Sequence, residues 1–427
     1  MKLSLDKLST TELADMLAGL EREYGHVSAN RMALDLSRGK PAADQLDLSQ
    51  DMELAIGGDY RTADGTDARN YGGPRGIREA RELGAELLGV PVDAVLAGGN
   101  SSLALMHLVV ETALETGLWG DARHWRRHTP VKLLAPVPGY DRHFVLSESL
   151  GIELINVPMQ DHGPDLDAAR ALITNDPNVK GMWCVPKYSN PTGCTYSNES
   201  VAGIAGLAND AAADDFVVLW DNAYTVHDIY APGDTLASLY DLAKPAGTSD
   251  HVVQFASTSK ITHAGAGVAF LAASPVVLES LERRLSVMTI GPDKVNQLRH
   301  ARFLKNRLAE HMQAHAALLK PKFDLVLSTL EAELGGLGIA QWSKPRGGYF
   351  VSLDLQPGLA RAVVDMAQQV GLTLTPAGAT FPYGRDPQDR NVRIAPTYAN
   401  VEDLKVAMQL LTLCVKLATV RQRLNQT

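Results

Sequence analysis

The chain reads as an α/β protein: a mostly parallel sheet with helices on both faces, joined to a smaller α+β domain. Three observations predict this. Between residues 131 and 272 short apolar runs alternate with segments of helical period, the pattern of a parallel sheet crossed by helices. Residues able to do chemistry fall at or just past the C-terminal ends of those runs, where such sheets gather ligands. After about residue 337 the pattern changes to strands and helices of α+β type.

The elements follow in order. Ser9-Thr10-Thr11-Glu12 has the spacing of a capping box, and Leu13, Met16, Leu17 and Leu20 continue at helical intervals, so a helix opens the chain and ends near Gly25. Met32 to Leu36 is a short strand-like run before Ser37-Arg38-Gly39-Lys40-Pro41, where a glycine between two cations allows close backbone approach to an anion. Residues 59–76, rich in Gly, Asp and Arg, form a loop ending in Asn70-Tyr71-Gly72-Gly73-Pro74-Arg75-Gly76. A helix spans about Ile77 to Leu88, and Ala94 to Ala97 is a strand. It runs into Gly98-Gly99-Asn100-Ser101-Ser102 and a helix carrying Leu103, Met106, His107 and Val110. That strand, turn and helix suit an anion, although an ordinary capped helix has the same pattern, and neither a Walker loop nor a dinucleotide fingerprint fits.

Strands are expected at Val131–Val137, Ile152–Val157, Gly181–Val185, Phe216–Trp220, His251–Ala256 and Val268–Ala272, with helices such as Asp165–Ile173 and Glu199–Ala213 between them. Beyond Pro292 one long helical pattern runs to about Glu333. The C-terminal part then offers strands at Tyr349–Leu353, Leu372–Thr375 and Val392–Ala395 and helices near Ala360–Val370 and Val401–Leu417. The expected division is 1–48 as an N-terminal arm with part of the small domain, 49–315 as the large domain and 316–427 as the small one.

The central stretch is Gln254-Phe255-Ala256-Ser257-Thr258-Ser259-Lys260. A lysine at the tip of a buried strand is costly unless neutralised or covalently bonded, and the neighbouring hydroxyls could hold an anion. That combination suits a Schiff base with a phosphate-bearing aldehyde. Tyr140, Asn190, Asp221 and Lys260 all fall at strand ends. Each alone fits a turn, a packing aromatic or a helix cap; together at one sheet edge they point to a ligand site.

In this order, Tyr71-Gly72, Gly99-Asn100-Ser101, Tyr140, Asn190-Pro191-Thr192-Gly193, Asp221-Asn222-Ala223-Tyr224, Ser257-Thr258-Ser259-Lys260 and Asn391-Val392-Arg393-Ile394 resemble the fold-type I pyridoxal-phosphate enzymes, in particular class I aminotransferases. The resemblance runs from about residue 30 to the C-terminus, and the opening at Ser37 is similar to a divergent bacterial aspartate aminotransferase subgroup. It implies a three-layer sandwich around a mostly parallel seven-stranded sheet, pyridoxal 5′-phosphate as cofactor, and a homodimer with shared active sites. It also implies roles. Lys260 would carry the cofactor and shuttle a proton, Asp221 would pair with the ring nitrogen, Asn190 and Tyr224 would bond the ring oxygen, and Tyr140 would stack on the ring. Gly99, Asn100, Ser101 and Ser257 would hold the phosphate, with Tyr71 reaching across from a second subunit. Arg393 would clamp the substrate α-carboxylate, with Gly39 contacting it through its backbone.

Two family features are missing. No arginine follows Lys260 before Val268; His263 is either a replacement at the phosphate or a neutral structural residue. The arginine that reads a dicarboxylic side chain is not identifiable; Arg38, Lys40 and Arg284 are candidates, with a surface charge as the alternative reading of each. The expected reaction is ping-pong transamination, aspartate giving its amino group to 2-oxoglutarate. The alternatives are an aromatic or 2-aminoadipate aminotransferase, a lyase on the same fold, or a ligand-sensing domain of a transcription regulator. The last needs a DNA-binding module, and too little chain precedes Ser37 for one.

Composition agrees. The 427 residues are 45% hydrophobic and 21% charged, with a net charge of -9, which disfavours nucleic acid. No apolar run reaches membrane-spanning length, and no signal peptide is expected. Cys184, Cys194 and Cys414 lack metal or redox spacing and read as reduced thiols of a cytoplasmic protein. His124 and His128 have the spacing of a metal pair, but the intervening Arg126 and Arg127 favour a solvated loop, and no metal is expected.

Overall fold

The computed structural model describes residues 4–29 and 32–426. Among them lies an eight-stranded mixed sheet. Its strands run, edge to edge, Val95–Ala97, Ala269–Ala272, Val252–Ser257, Val217–Asp221, Val179–Cys184, Lys132–Val137, Glu153–Gln160 and Gly163–Pro164. The five from Val252–Ser257 to Glu153–Gln160 are parallel. Both edges are antiparallel. The expected count of seven is corrected by the two-residue strand Gly163–Pro164, which folds back on Glu153–Gln160 and is too short to leave a periodic signal.

Both faces are covered, as the alternation along Val217–Asp221 shows. Val217 and Leu219 enter a core with helices Ser102–Glu115, Asp141–Ser149 and Pro275–Met288. Val218 and Trp220 enter another with Leu166–Ile173, Asn198–Asp210 and Leu239–Ala246. Side chains two apart share a face, so Asp221 lies on the side of helix Asp141–Ser149.

Residues 340–394 supply a second, antiparallel sheet of Ala340–Trp342, Val351–Leu355 and Asn391–Ile394. Its core includes Leu13 and Leu20 of helix Thr10–Ala29, together with helices Leu308–Leu334, Ala360–Gln369 and Val401–Leu424. Leu34–Asp35 pairs in parallel with Leu372–Thr373. Strand Ala340–Trp342 had no sequence signal, being short and half exposed.

Two helix boundaries differ from expectation. The first helix passes Gly25 and runs to Ala29; a Cβ at Gly25 would meet open space, so this exposed glycine neither breaks nor caps the helix. Its N-terminus carries the capping box, with Ser9 N–H donating to Glu12 Oε2 (2.7 Å) and Glu12 N–H to Ser9 Oγ (3.3 Å). The long pattern after Pro292 is two helices, Lys294–Leu304 and Leu308–Leu334, because Asn306 between them is left-handed at φ 59°. No helix among the described residues is long and apolar enough to cross a membrane.

Candidate active site

A cavity of about 900 Å³ opens between the strand ends and the second sheet. Of the residues singled out from sequence, Gly39, Tyr140, Asn190, Tyr224, Lys260 and Arg393 line it. Asp221 lies close behind, buried at the end of its strand.

Lys260 follows strand Val252–Ser257 in a tight turn. Its amine lies 5.3 Å from the centre of the Tyr224 ring and 5.9 Å from that of Tyr349. Burial pushes its proton affinity down, and Asp221 partly opposes this. Asp221 Oδ2 accepts from His143 Nε2–H at 2.9 Å, while Oδ1 is buried with no partner among the described residues. His143 is held between stacking on Trp183 (4.2 Å, 11°) and an edge contact with Tyr140 (4.9 Å). Asn190 is also buried, and its Nδ2 is unpartnered. Buried polar atoms are nearly always satisfied, so Oδ1 and Nδ2 beside one cavity mark where a polar ligand group belongs. The Tyr224 and Tyr140 phenols are held neutral chiefly by burial.

Arg393, buried on strand Asn391–Ile394, joins the two sheets. Its Nη1 donates to Asp141 Oδ1 (2.9 Å) and Asn190 Oδ1 (3.3 Å), and Nε donates to Thr375 Oγ1 (3.3 Å). The guanidinium lies 4.8 Å from the centre of the Phe350 ring. A Cβ at Gly39 would run into that same ring, so only glycine passes there.

Gly99, Asn100 and Ser101 form the turn into helix Ser102–Glu115, outside the lining of the cavity itself. Ser101 Oγ caps the helix by accepting from Ala104 N–H (3.2 Å). The turn is tied to the segment around Lys260: Ser259 Oγ donates to Asn100 O (3.3 Å) and Asn100 Nδ2 to Gly265 O (2.9 Å). Ser257 ends its strand half-buried. His263 is half-buried in the following turn. Tyr71 is 82% exposed and does not line its own chain's cavity. Its loop is held by Lys294, whose Nζ donates to Gly72 O (2.6 Å).

Among the candidates for a second carboxylate, Arg284 is corrected: it bonds Glu111 (2.8 Å) and does not line the cavity. Arg38 and Lys40 do line it, as does Arg142, which the motif reading missed. His143 was also missed, although it follows Tyr140 by one helical turn and could have been found from that spacing. The segment around His124 is two short 3-10 turns with Trp125 buried rather than fully solvated, its Nε1–H donating to Asp215 O (3.1 Å). No cluster of three metal-ligating side chains occurs among the described residues.

Comparisons agree with this architecture. The family model described as aspartate amino-transferase matches residues 8–427. The chain is 43% identical over 409 residues to an aspartate aminotransferase of Corynebacterium glutamicum, covering 95% of this chain and 94% of that one. The crystal structure of an aspartate transaminase from the same organism superposes with a TM-score of 0.94 at 42% identity, covering 99% and 100% of the two chains. An α-aminoadipate aminotransferase from Thermus thermophilus, at 22% identity and a TM-score of 0.75 over 97% and 100% of the chains, shares the fold. The chain therefore belongs to the aspartate aminotransferase family of fold-type I pyridoxal-phosphate enzymes and is an aminotransferase.

Proposed function

We propose that the protein is a pyridoxal 5′-phosphate-dependent aminotransferase that moves the amino group of aspartate to 2-oxoglutarate in ping-pong fashion. The observation that carries this reading is the set of groups left open around one cavity: the Lys260 amine, Asp221 Oδ1 and Asn190 Nδ2. They fit the cofactor. A carboxylate oxygen suits a protonated ring nitrogen, and an amide N–H suits a ring oxygen. When bound, pyridoxal phosphate supplies an electron sink for the charge left as the amino acid loses its α-proton.

The chain's own residues do the rest. Lys260 Nζ would hold the cofactor and, with a proton affinity already lowered by burial, would serve as the base for the α-proton. Asp221 keeps the ring nitrogen protonated, and His143 orients that carboxylate. Tyr224 and Asn190 would hold the ring oxygen, and Tyr140, which lines the same cavity, would pack on the ring. Gly99, Asn100 and Ser101, at the N-terminus of helix Ser102–Glu115, and Ser257, at the end of its strand, would hold the phosphate. Arg393, already oriented by Thr375 and Asn190, takes the substrate α-carboxylate, with Gly39 beside it. Arg38, Lys40 and Arg142 are available to a second carboxylate; Arg38 and Arg142 have no ion-pair partner among the described residues. The preference for aspartate is also supported by the name of the Corynebacterium glutamicum relative.

A homodimer completes the site in this reading, with Tyr71 reaching the partner's phosphate. Tyr71, Val287, Met288 and Ile290 are all strongly exposed, and Gly72 N–H bonds Ile290 O (3.2 Å), so they form one apolar patch suited to a second copy. The division at 1–48, 49–315 and 316–427 belongs to the same proposal. It is supported by one core that draws mainly on residues 5–36 and 319–420, joined by Val185, Tyr188, Tyr224 and Ile229 of the large domain, and another that stays within 52–312.

The test is the visible spectrum of the purified protein with cofactor. Aspartate and glutamate should bleach the band and 2-oxoglutarate should restore it. A response to tyrosine or 2-aminoadipate alone would reassign the substrate, and no band would remove the cofactor assignment.

A further inference from the structure

The turn that carries Lys260 stops after one helical step. Ile261 and Thr262 N–H both donate to Thr258 O at 2.8 Å, and the ladder goes no further. An interrupted turn leaves its carbonyls without backbone donors, and buried ones must find them elsewhere. Here the carbonyls of Lys260 and Ile261 each receive two side chains from distant parts of the chain. His311 Nε2 and His315 Nε2 reach Ile261 O at 2.6 and 2.8 Å. Tyr349 OH and His227 Nε2 approach Lys260 O, both at 3.4 Å. Gln45 links the set, its Nε2 lying 3.3 Å from His315 Nδ1 and 3.0 Å from Tyr349 OH.

The proton positions follow from the geometry. A carbonyl oxygen only accepts, so an imidazole bonded to it donates through Nε2–H; the His311 and His315 Nε2 atoms converge on Ile261 O from 3.2 Å apart. His315 Nδ1 is then bare and accepts from Gln45, whose second N–H goes to Tyr349 OH. Gln45 donates to His315 Nδ1 only while that imidazole is neutral, and His227 Nδ1, buried with no partner among the described residues, has no acceptor for a second proton, so both rings are neutral. Burial holds them so, lowering His315 to about 4 and His227 to about 3.

We propose that Gln45, His227, His311, His315 and Tyr349 are positioning residues for Lys260, a cage of neutral donors that fixes the peptide bearing the reactive amine and thereby sets its aim and its proton affinity. Two features favour this over simple satisfaction of buried carbonyls. Each oxygen takes two donors where one would suffice. Farther along, the segment after Lys260 is anchored by other residues, Thr262 through His300 (2.9 Å), Gly265 O through Asn100 (2.9 Å) and Ala266 O and Gly267 O through Asn296 (3.0 Å each), so the two carbonyls at Lys260 and Ile261 are the points where the cage alone holds the peptide of the reactive amine. Neutrality matters as well: a charged imidazole behind the amine would add to its Coulombic repulsion, whereas the neutral cage leaves Asp221 as the nearby opposite charge.

The proposal rests on Lys260 being the cofactor-bearing amine, and the experiment separates the two claims. The full-length wild type and the variants His315→Leu, His315→Gln and Tyr349→Phe are loaded with pyridoxal phosphate, and their absorbance is titrated against pH. Far-UV circular dichroism checks folding, and fluorescence of the cofactor-free chain gives the Kd for pyridoxal phosphate. His315→Leu and Tyr349→Phe should move the spectral midpoint by about half a pH unit or more. They should lower kcat about tenfold with KM within about twofold, since substrate contacts are untouched. His315→Gln restores an N–H near the Nε2 position and should return both readouts toward wild type. Tyr349→Phe removes a single oxygen, so the test survives even if His315→Leu does not fold. A wild-type band with unshifted midpoints in folded variants would overturn the cage alone, as would His315→Gln behaving like His315→Leu. No band in the wild type would overturn the reading of Lys260 and the cage with it.

Discussion

On its cavity side Lys260 faces buried polar atoms without partners, Asp221 Oδ1 and Asn190 Nδ2. On its far side the carbonyls of Lys260 and Ile261 each take two side-chain donors. Leaving a buried donor or acceptor unpaired costs roughly 1–3 kcal/mol, so a fold keeps one where something else completes it. The contrast separates two kinds of buried polarity within a few residues: open groups at the cavity, and carbonyls behind it that are doubly paired, with His227 Nδ1 the one cage nitrogen left without a partner among the described residues.

Five predictions break or sharpen that contrast. The largest effect belongs to Lys260→Ala, which should lower turnover by about a thousandfold or more and abolish the visible band; retention of either removes the lysine from the chemistry. Asp221→Asn comes next. It keeps the shape and leaves an oxygen for His143, but it takes the charge from Oδ1, and kcat should fall about a hundredfold. A small change in stopped-flow rates would mean that the open oxygen does not face a ligand.

Arg393→Lys should reduce kcat/KM for aspartate by about ten- to a hundredfold, because an ammonium cannot reproduce a planar fork. Arg142→Gln should cost about tenfold with aspartate and leave alanine within about twofold; equal losses with both substrates would exclude a role in reading the side chain.

The smallest effect is on stability, and it concerns the closed side. His227 and His315 have folded proton affinities below the ordinary value of 6.5, at about 3 and 4. The unfolded chain then binds more protons below pH 6.5, so stability falls as pH drops from about 6.5 toward 4. Thermal unfolding at pH 7.5 and 5 checks the sign: a higher Tm at pH 5 would contradict neutral imidazoles in the cage.

The open side was far more legible in the sequence than the closed one. Lys260, Asp221, Asn190 and Tyr140 sit at the ends of apolar strand-like runs, so local pattern and the topology rule together bring them to one edge. His311 and His315 lie inside a long helix, where an i, i+4 pair is as easily a packed face. Gln45 and Tyr349 are more than three hundred residues apart and carry no motif. Arg142 adjoins Tyr140, yet its exposure to the cavity depends on where helix Asp141–Ser149 begins.

From periodicity and local turn residues the sequence already yields the longer strands and most helices in order, the parallel core of the sheet and the set of chemistry-bearing strand ends. Only the tertiary structure decided that Arg284 turns to Glu111, that a two-residue strand adds an eighth member to the sheet, and that Asn306 divides the long helix. It alone decided that Gln45 meets His315 and Tyr349 behind Lys260. Such contacts join residues far apart in the chain, and their partners are chosen by packing, which no local pattern records.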